Sequence, residues 1–179
     1  MDFAKSLEGI CQRDDFELLK KLYLKGNFIR DDVVRVDEDV LTLFESASLY
    51  GHLQICKWLY YTFEITKEDA MLNDYCSFNV ACLHGQLNIC KWMQKKFCFT
   101  KKELISICDG RFLKDICKEF LYEENYAECF FEIFSYLSNT FGFTVQDVTH
   151  FINKIPKTKR ERFLECFTPI GSFTKPAKF

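Results

Sequence analysis

Residues 44–59, FESASLYGHLQICKWL, and residues 78–93, FNVACLHGQLNICKWM, are two copies of one pattern. Gly51 and Gly85 stand 34 residues apart. Around them Gly51, Leu53, Ile55, Cys56, Lys57 and Trp58 recur in register as Gly85, Leu87, Ile89, Cys90, Lys91 and Trp92. The register continues downstream, where residues 63–70 (FEITKEDA) align with residues 97–104 (FCFTKKEL), so the repeat includes its linker. In each linker a Thr precedes an acidic residue by three positions, Thr66 with Asp69 and Thr100 with Glu103. That is the spacing of a capping box, and it predicts a short third helix. Leu53, Cys56, Leu59 and Tyr60 fall on one helical face, which Ile55 and Trp58 widen. A ten-residue helix so apolar is not stable alone, because nucleation is costly and its stripe stays wet, so neighbouring units must sandwich it.

Working outward, residues 7–22 (LEGICQRDDFELLKKL) fit the same frame with Asp14 in the glycine place and Lys21 in the Trp place. A terminal unit has no outer neighbour to cover a Trp, and Lys suits that place. Downstream, Phe141-Gly142-Phe143-Thr144 repeats the Phe-apolar-Thr marker 44 residues after Thr100. This fourth unit is longer and lacks the glycine turn; its pattern predicts helices near residues 112–122 and 127–139, joined by the polar turn 123–126. Two further helices, residues 144–153 and 157–166, are separated by Ile155-Pro156 and are expected to cap the array. The expectation is one domain over residues 1–167, with units at about 4–30, 38–63, 72–97 and 111–140, a cap at 144–167, and an extended or mobile tail over 168–179.

Composition agrees with helix. Hydrophobic residues make up 48% of the 179, while Gly and Pro number only 7 and 3, which argues against disorder. The formal charge of −2 provides no overall field for nucleic acid or for an anionic membrane, and neither partner is expected. No apolar run marks a signal peptide or a membrane span, so a soluble, cytoplasmic protein is expected.

Residues 47–53 (ASLYGHL) and 81–87 (ACLHGQL) resemble the Ala-Ala-x-x-Gly-His-Leu stretch of ankyrin repeats, and residues 55–59 (ICKWL) resemble the Val-Val-Lys-Leu-Leu that follows it. The combination of Gly-His-Leu, Cys-Lys-Trp-Leu and Phe-x-x-Thr-x-Glu-Asp-Ala is most similar to ankyrin arrays encoded by large DNA viruses of eukaryotes. The resemblance covers residues 38–104 well and 4–30 weakly. It implies an all-α, ankyrin-like helical solenoid of about four helix pairs, without catalytic activity or cofactor. It also implies a protein-protein interaction module, as an intracellular adaptor that captures a host protein; the alternative is a structural component of a virion or other assembly. The Thr-Pro-Leu-His opening of ankyrin repeats is absent, since Phe44 and Phe78 replace its Leu and Glu45 and Asn79 its His. The short helix after Thr66 and Thr100 is expected in place of a regular β-hairpin finger.

Ankyrin-like stacks bind through their concave side, so the resemblance points to Gln12, Arg13, Leu49, Tyr50, Leu83 and His84 on first helices and to Glu38, Asp39, Asn73 and Asp74 on the fingers. These positions are equally those of plain solvent-facing residues. Tyr50 is the best anchor among them, since aromatic side chains dominate interfaces.

The ten cysteines leave other chemistry open. No CxxC occurs and His52, His84 and His150 lie in different units, which favours buried thiols over zinc ligands. A cysteine-dependent enzyme would need an exposed thiol of lowered pKa beside an imidazole, a juxtaposition visible only in tertiary structure. Lys154, Lys157, Lys159, Arg160 and Arg162 form a basic cluster in which Glu161 and Glu165 intervene; nuclear entry or an anionic partner is weighed there against a solvated helix face. Trp58 and Trp92, repeated within an apolar stripe, are expected in the core and not as stacking platforms.

Overall fold

The turn and cap signals divide the chain into short helices, and the computed structural model describes residues 3–34, 41–72, 76–106, 111–122 and 127–167. Three successive helices, α1 (Phe3–Gln12), α2 (Phe16–Leu24) and α3 (Arg30–Val34), are followed by α4 (Leu43–Leu49), α5 (Leu53–Phe63) and α6 (Lys67–Ala70). The same order returns as α7 (Ser77–Leu83), α8 (Leu87–Phe97) and α9 (Lys101–Ser106), and again as α10 (Phe112–Tyr122), α11 (Ala127–Phe141) and α12 (Val145–Ile152). α13 (Lys157–Glu165) ends the series. The described residues contain no strand, and none of their helices is long and apolar enough to cross a membrane.

The first helices pack in a row, α1 on α4, α4 on α7 and α7 on α10. A helix flanked on both sides and backed by its own second helix has no face left for water. α4 accordingly buries all of residues 43–48 and α7 all of residues 77–82. Thr42 and Glu45 start α4 with a reciprocal capping box, the Thr42 N–H donating to Oε2 at 2.8 Å. This satisfies orphan donors at the helix end and keeps a buried carboxylate hydrogen-bonded.

The second helices form a parallel row. Leu19, Cys56, Cys90 and Phe134 hold the same place in it and are fully buried. Trp58 meets Phe16, Tyr23 and Phe63 edge to face, and Trp92 meets Phe44, Tyr60 and Phe97. Tyr136, 44 residues after Trp92, takes the Trp place on α11 and donates its hydroxyl to the Cys90 carbonyl at 3.3 Å. Lys21, in the Trp place on α2, is exposed.

The third helices are fastened by a device that repeats four times. Each is preceded by a buried apolar residue, Phe28, Ile65, Phe99 or Phe143, and carries a fully buried one, Val33, Ala70, Leu104 or Val148. Between these, the carboxylates of Asp32, Asp69, Glu103 and Asp147 accept the N–H of Ile29, Thr66, Thr100 and Thr144 at 2.7–2.8 Å. The first residue of each helix then reaches forward to the next unit. Arg30 pairs with Asp69, Lys67 with Glu103 at 2.6 Å and Lys101 with Asp147 at 2.8 Å. The same three cations donate to the carbonyls of Phe63, Cys98 and Gly142. On α12 this place is held by Val145, and the series stops. α12 thus carries the same start as α3, α6 and α9 and packs on α10, while α13 packs on α11.

Candidate binding surface

The turn between first and second helices requires a left-handed residue, and Asp14 (φ 54°), Gly51 (φ 85°) and Gly85 (φ 68°) supply it. Next to each, the following unit reaches back. His52 Nδ1 lies 3.1 Å from the Asp14 carboxylate, and Gln86 donates through Nε2 to the Leu49 carbonyl at 3.1 Å. Gly85 lies against Cys129 so closely that an added Cβ would stand 2.7 Å from the cysteine Cβ. Glycine is needed at Gly85 for space as well as for φ.

These turns bring the expected binding residues to one end of consecutive helices. Gln12, Arg13 and His84 are exposed, whereas Leu49, Tyr50 and Leu83 are half-buried. Tyr50 stacks on His52 with ring centroids 6.3 Å apart. Burial, followed by the facing Glu8 carboxylate, raises the Tyr50 phenol above its ordinary pKa, so it remains a neutral donor. Desolvation lowers the His84 imidazole, and Glu119 on α10 opposes that shift. Glu38, Asp39, Asn73 and Asp74 lie outside the described residues.

Most of the described cysteines belong to the packing. Burial drives the thiols of Cys11, Cys56 and Cys117 up to about 12, which disfavours the thiolate that nucleophilic or metal chemistry needs. Cys82 and Cys90, with Sγ atoms 3.6 Å apart, hold the places of Ser48 and Cys56 in the preceding unit. Desolvation also raises the Cys82 thiol well above its ordinary value, and Cys98 is exposed. Among the described residues no three His, Cys, Asp or Glu side chains gather as a metal site.

The basic cluster near the C-terminus is largely engaged. Arg162 forms a two-pronged ion pair with Glu128, and Arg160 donates to the carbonyls of Asn153 and Ile155. Lys154 and Lys159 lie over the rings of Phe151 and Phe120, while Lys157 is exposed.

A different concentration of charge was not apparent along the chain. Lys57 and Lys91, noted in sequence only as repeat markers, hold one outward place on α5 and α8, and Lys20 holds it on α2. One turn further the outward place is Leu24, Tyr61 and Lys95. The repeat register contained this row, at 34 residues from α5 to α8 and 37 from α2 to α5, but helix neighbours had to be known before it became a surface. Comparison with protein-family models, curated proteins and solved structures finds no match for the chain.

Proposed function

We propose that the chain is an ankyrin-like helical solenoid that binds another protein across the ends of its first helices. The observation that carries this reading is the exposure pattern of α4 and α7. Residues 43–48 and 77–82 are wholly buried, and the chain then releases Leu49 with Tyr50, and Leu83 with His84, at a turn set by a left-handed glycine. Side chains at such places vary without disturbing the stack, which suits them to recognition. Gln12 and Arg13 stand in the same places before Asp14.

An adaptor that captures a host factor, in the cytoplasm or nucleus of an infected cell, accords with the resemblance to viral ankyrin arrays. A virion component would call for a Phe-rich outer face. No phenylalanine whose side chain is described is exposed, which supports the adaptor over the assembly component. The buried, high-pKa thiols likewise favour binding over cysteine-dependent catalysis.

The test is affinity capture from host-cell extract with the wild-type chain, Arg13→Ala, Tyr50→Ala and His84→Ala, each shown to be folded by circular dichroism. Loss of the same partner with two or more variants is expected. Equal recovery by all four proteins rejects the first-helix surface.

A further inference from the structure

The outer side of the second helices carries a charge opposite to that of the whole molecule. Lys25, Lys57, Lys91 and Lys95 are exposed, and none of them forms an ion pair with a described carboxylate. The acidic residues nearby are few: Glu17 is held by Lys20 at 2.8 Å, Glu64 stands at the end of α5, and Glu132 on α11 lines a shallow hollow with Lys91 without an ion pair between them. The chain as a whole has a formal charge of −2. The three helices are contiguous, because Tyr23 on α2 packs on Trp58 and Phe63 of α5, and Tyr60 on α5 packs on Trp92 and Phe97 of α8. At α11 the run ends, where Ser135 and Asn139 hold the places of Lys91 and Lys95 and Glu128 and Glu132 are exposed.

Within this basic strip lie the two most exposed large apolar residues of the described chain, Leu24 at 82% and Tyr61 at 65%. They occupy equivalent places on adjacent helices. The Tyr61 hydroxyl accepts from Lys96 at 2.8 Å, and that ammonium lies over the rings of both Tyr60 and Tyr61. Packed helices are about 8–10 Å apart, so three of them span about 20 Å. An extended segment of about six residues covers that distance.

We propose that the outer face of α2, α5 and α8 docks a short acidic polypeptide segment whose carboxylates meet Lys57, Lys91 and Lys95 and whose apolar side chains cover Leu24 and Tyr61. Charge complementarity is the argument for the carboxylates, and the paired apolar points are the argument for a peptide. A nucleic-acid backbone makes no use of Leu24. A membrane surface requires a helix with a broad apolar face, and here α2 and α5 each expose one large apolar residue. The surface is distinct from the ends of the first helices, so it stands or falls independently of the function proposed above.

Fluorescence anisotropy tests it with a labelled decapeptide alternating Glu with Leu, beside the same peptide with Lys for Glu, a ten-nucleotide oligothymidylate, and vesicles containing phosphatidylserine. Saturable binding of the Glu peptide, weakening with added salt, is expected. The triple variant Lys57→Glu, Lys91→Glu, Lys95→Glu should weaken it at least about tenfold. Leu24→Ser with Tyr61→Ser should weaken it severalfold, while Tyr50→Ala and His84→Ala leave it unchanged. The substituted side chains are exposed, and Lys→Gln versions replace any charge-reversed variant that circular dichroism shows unfolded. Failure of the Glu peptide to bind, equal binding by the triple variant or its Gln version, or tighter binding of the oligonucleotide or vesicles overturns the proposal.

Discussion

The Lys101 ammonium lies 2.8 Å from the Asp147 carboxylate, across 46 residues of chain, and donates at the same time to the Gly142 carbonyl at 3.0 Å. One cation thereby ties α9 to both the start of α12 and the end of α11. Asp147 also accepts the Thr144 N–H, so its carboxylate serves a helix cap and an inter-unit ion pair together.

Because of that double use, Asp147→Ala should cost about 2 kcal/mol, roughly one for the cap and up to one for the ion pair. Lys101→Met should cost about 1 kcal/mol or less. Urea unfolding of the two single variants and the double variant checks this; strict additivity would mean the pair is not coupled.

The equivalent carboxylate in the preceding unit should make stability depend on acid. The Lys67 ammonium, with Thr100, holds the Glu103 carboxyl down at about 2 against an ordinary 4.5. A depressed folded-state pKa contributes stability that is complete above the unfolded value and disappears as pH falls through the folded one. Wild type should therefore exceed Glu103→Gln in stability at pH 5 and above, with the difference shrinking between about pH 4.5 and 2. Thermal melts across that range, alongside an NMR titration of Glu103, provide the measurement.

Two glycines with nearly the same backbone angle should respond differently to substitution. Gly142→Ala (φ 69°) finds no atom within 4 Å and incurs the left-handed strain alone, about 1–2 kcal/mol. Gly85→Ala (φ 68°) adds a methyl 2.7 Å from the Cys129 Cβ and should cost about 1–3 kcal/mol more. Equal melting temperatures for the two variants would show that α11 gives way at no cost.

Alkylation reports on the thiols. Iodoacetamide at pH 8 should modify the exposed Cys98 quickly, while Cys11, Cys56, Cys82 and Cys117 react only after unfolding, since they are buried and their thiolates disfavoured. Peptide mass spectrometry identifies the sites. Rapid native labelling at Cys82 or Cys117 would reopen the case for thiol chemistry.

Much of this architecture is written in local signals. The helices expected near residues 112–122 and 127–139 appear as α10 and α11, and the Thr66 capping box forms as its spacing requires. Asp14 adopts the left-handed turn that its alignment with Gly51 implies. Thr42 and Glu45 carried the same capping signal, and the third-helix frame extended back to Ile29 and Asp32, where Ile in the Thr place hid it.

Residue periodicity determines which faces of these helices are apolar, and cap and turn residues determine where each begins and ends, because both are interactions over three or four positions. Which charge meets which was decided only by the tertiary structure. Arg162 looked like part of a basic patch until folding set it against Glu128, 34 residues away. Lys57 and Lys91 looked like markers of a repeat until the packing of α5 on α8 set them on adjacent helices, neither in an ion pair with a described carboxylate. Coulomb interactions depend on distance through space, and a 34-residue spacing along the chain becomes a single helix width only after the units have stacked.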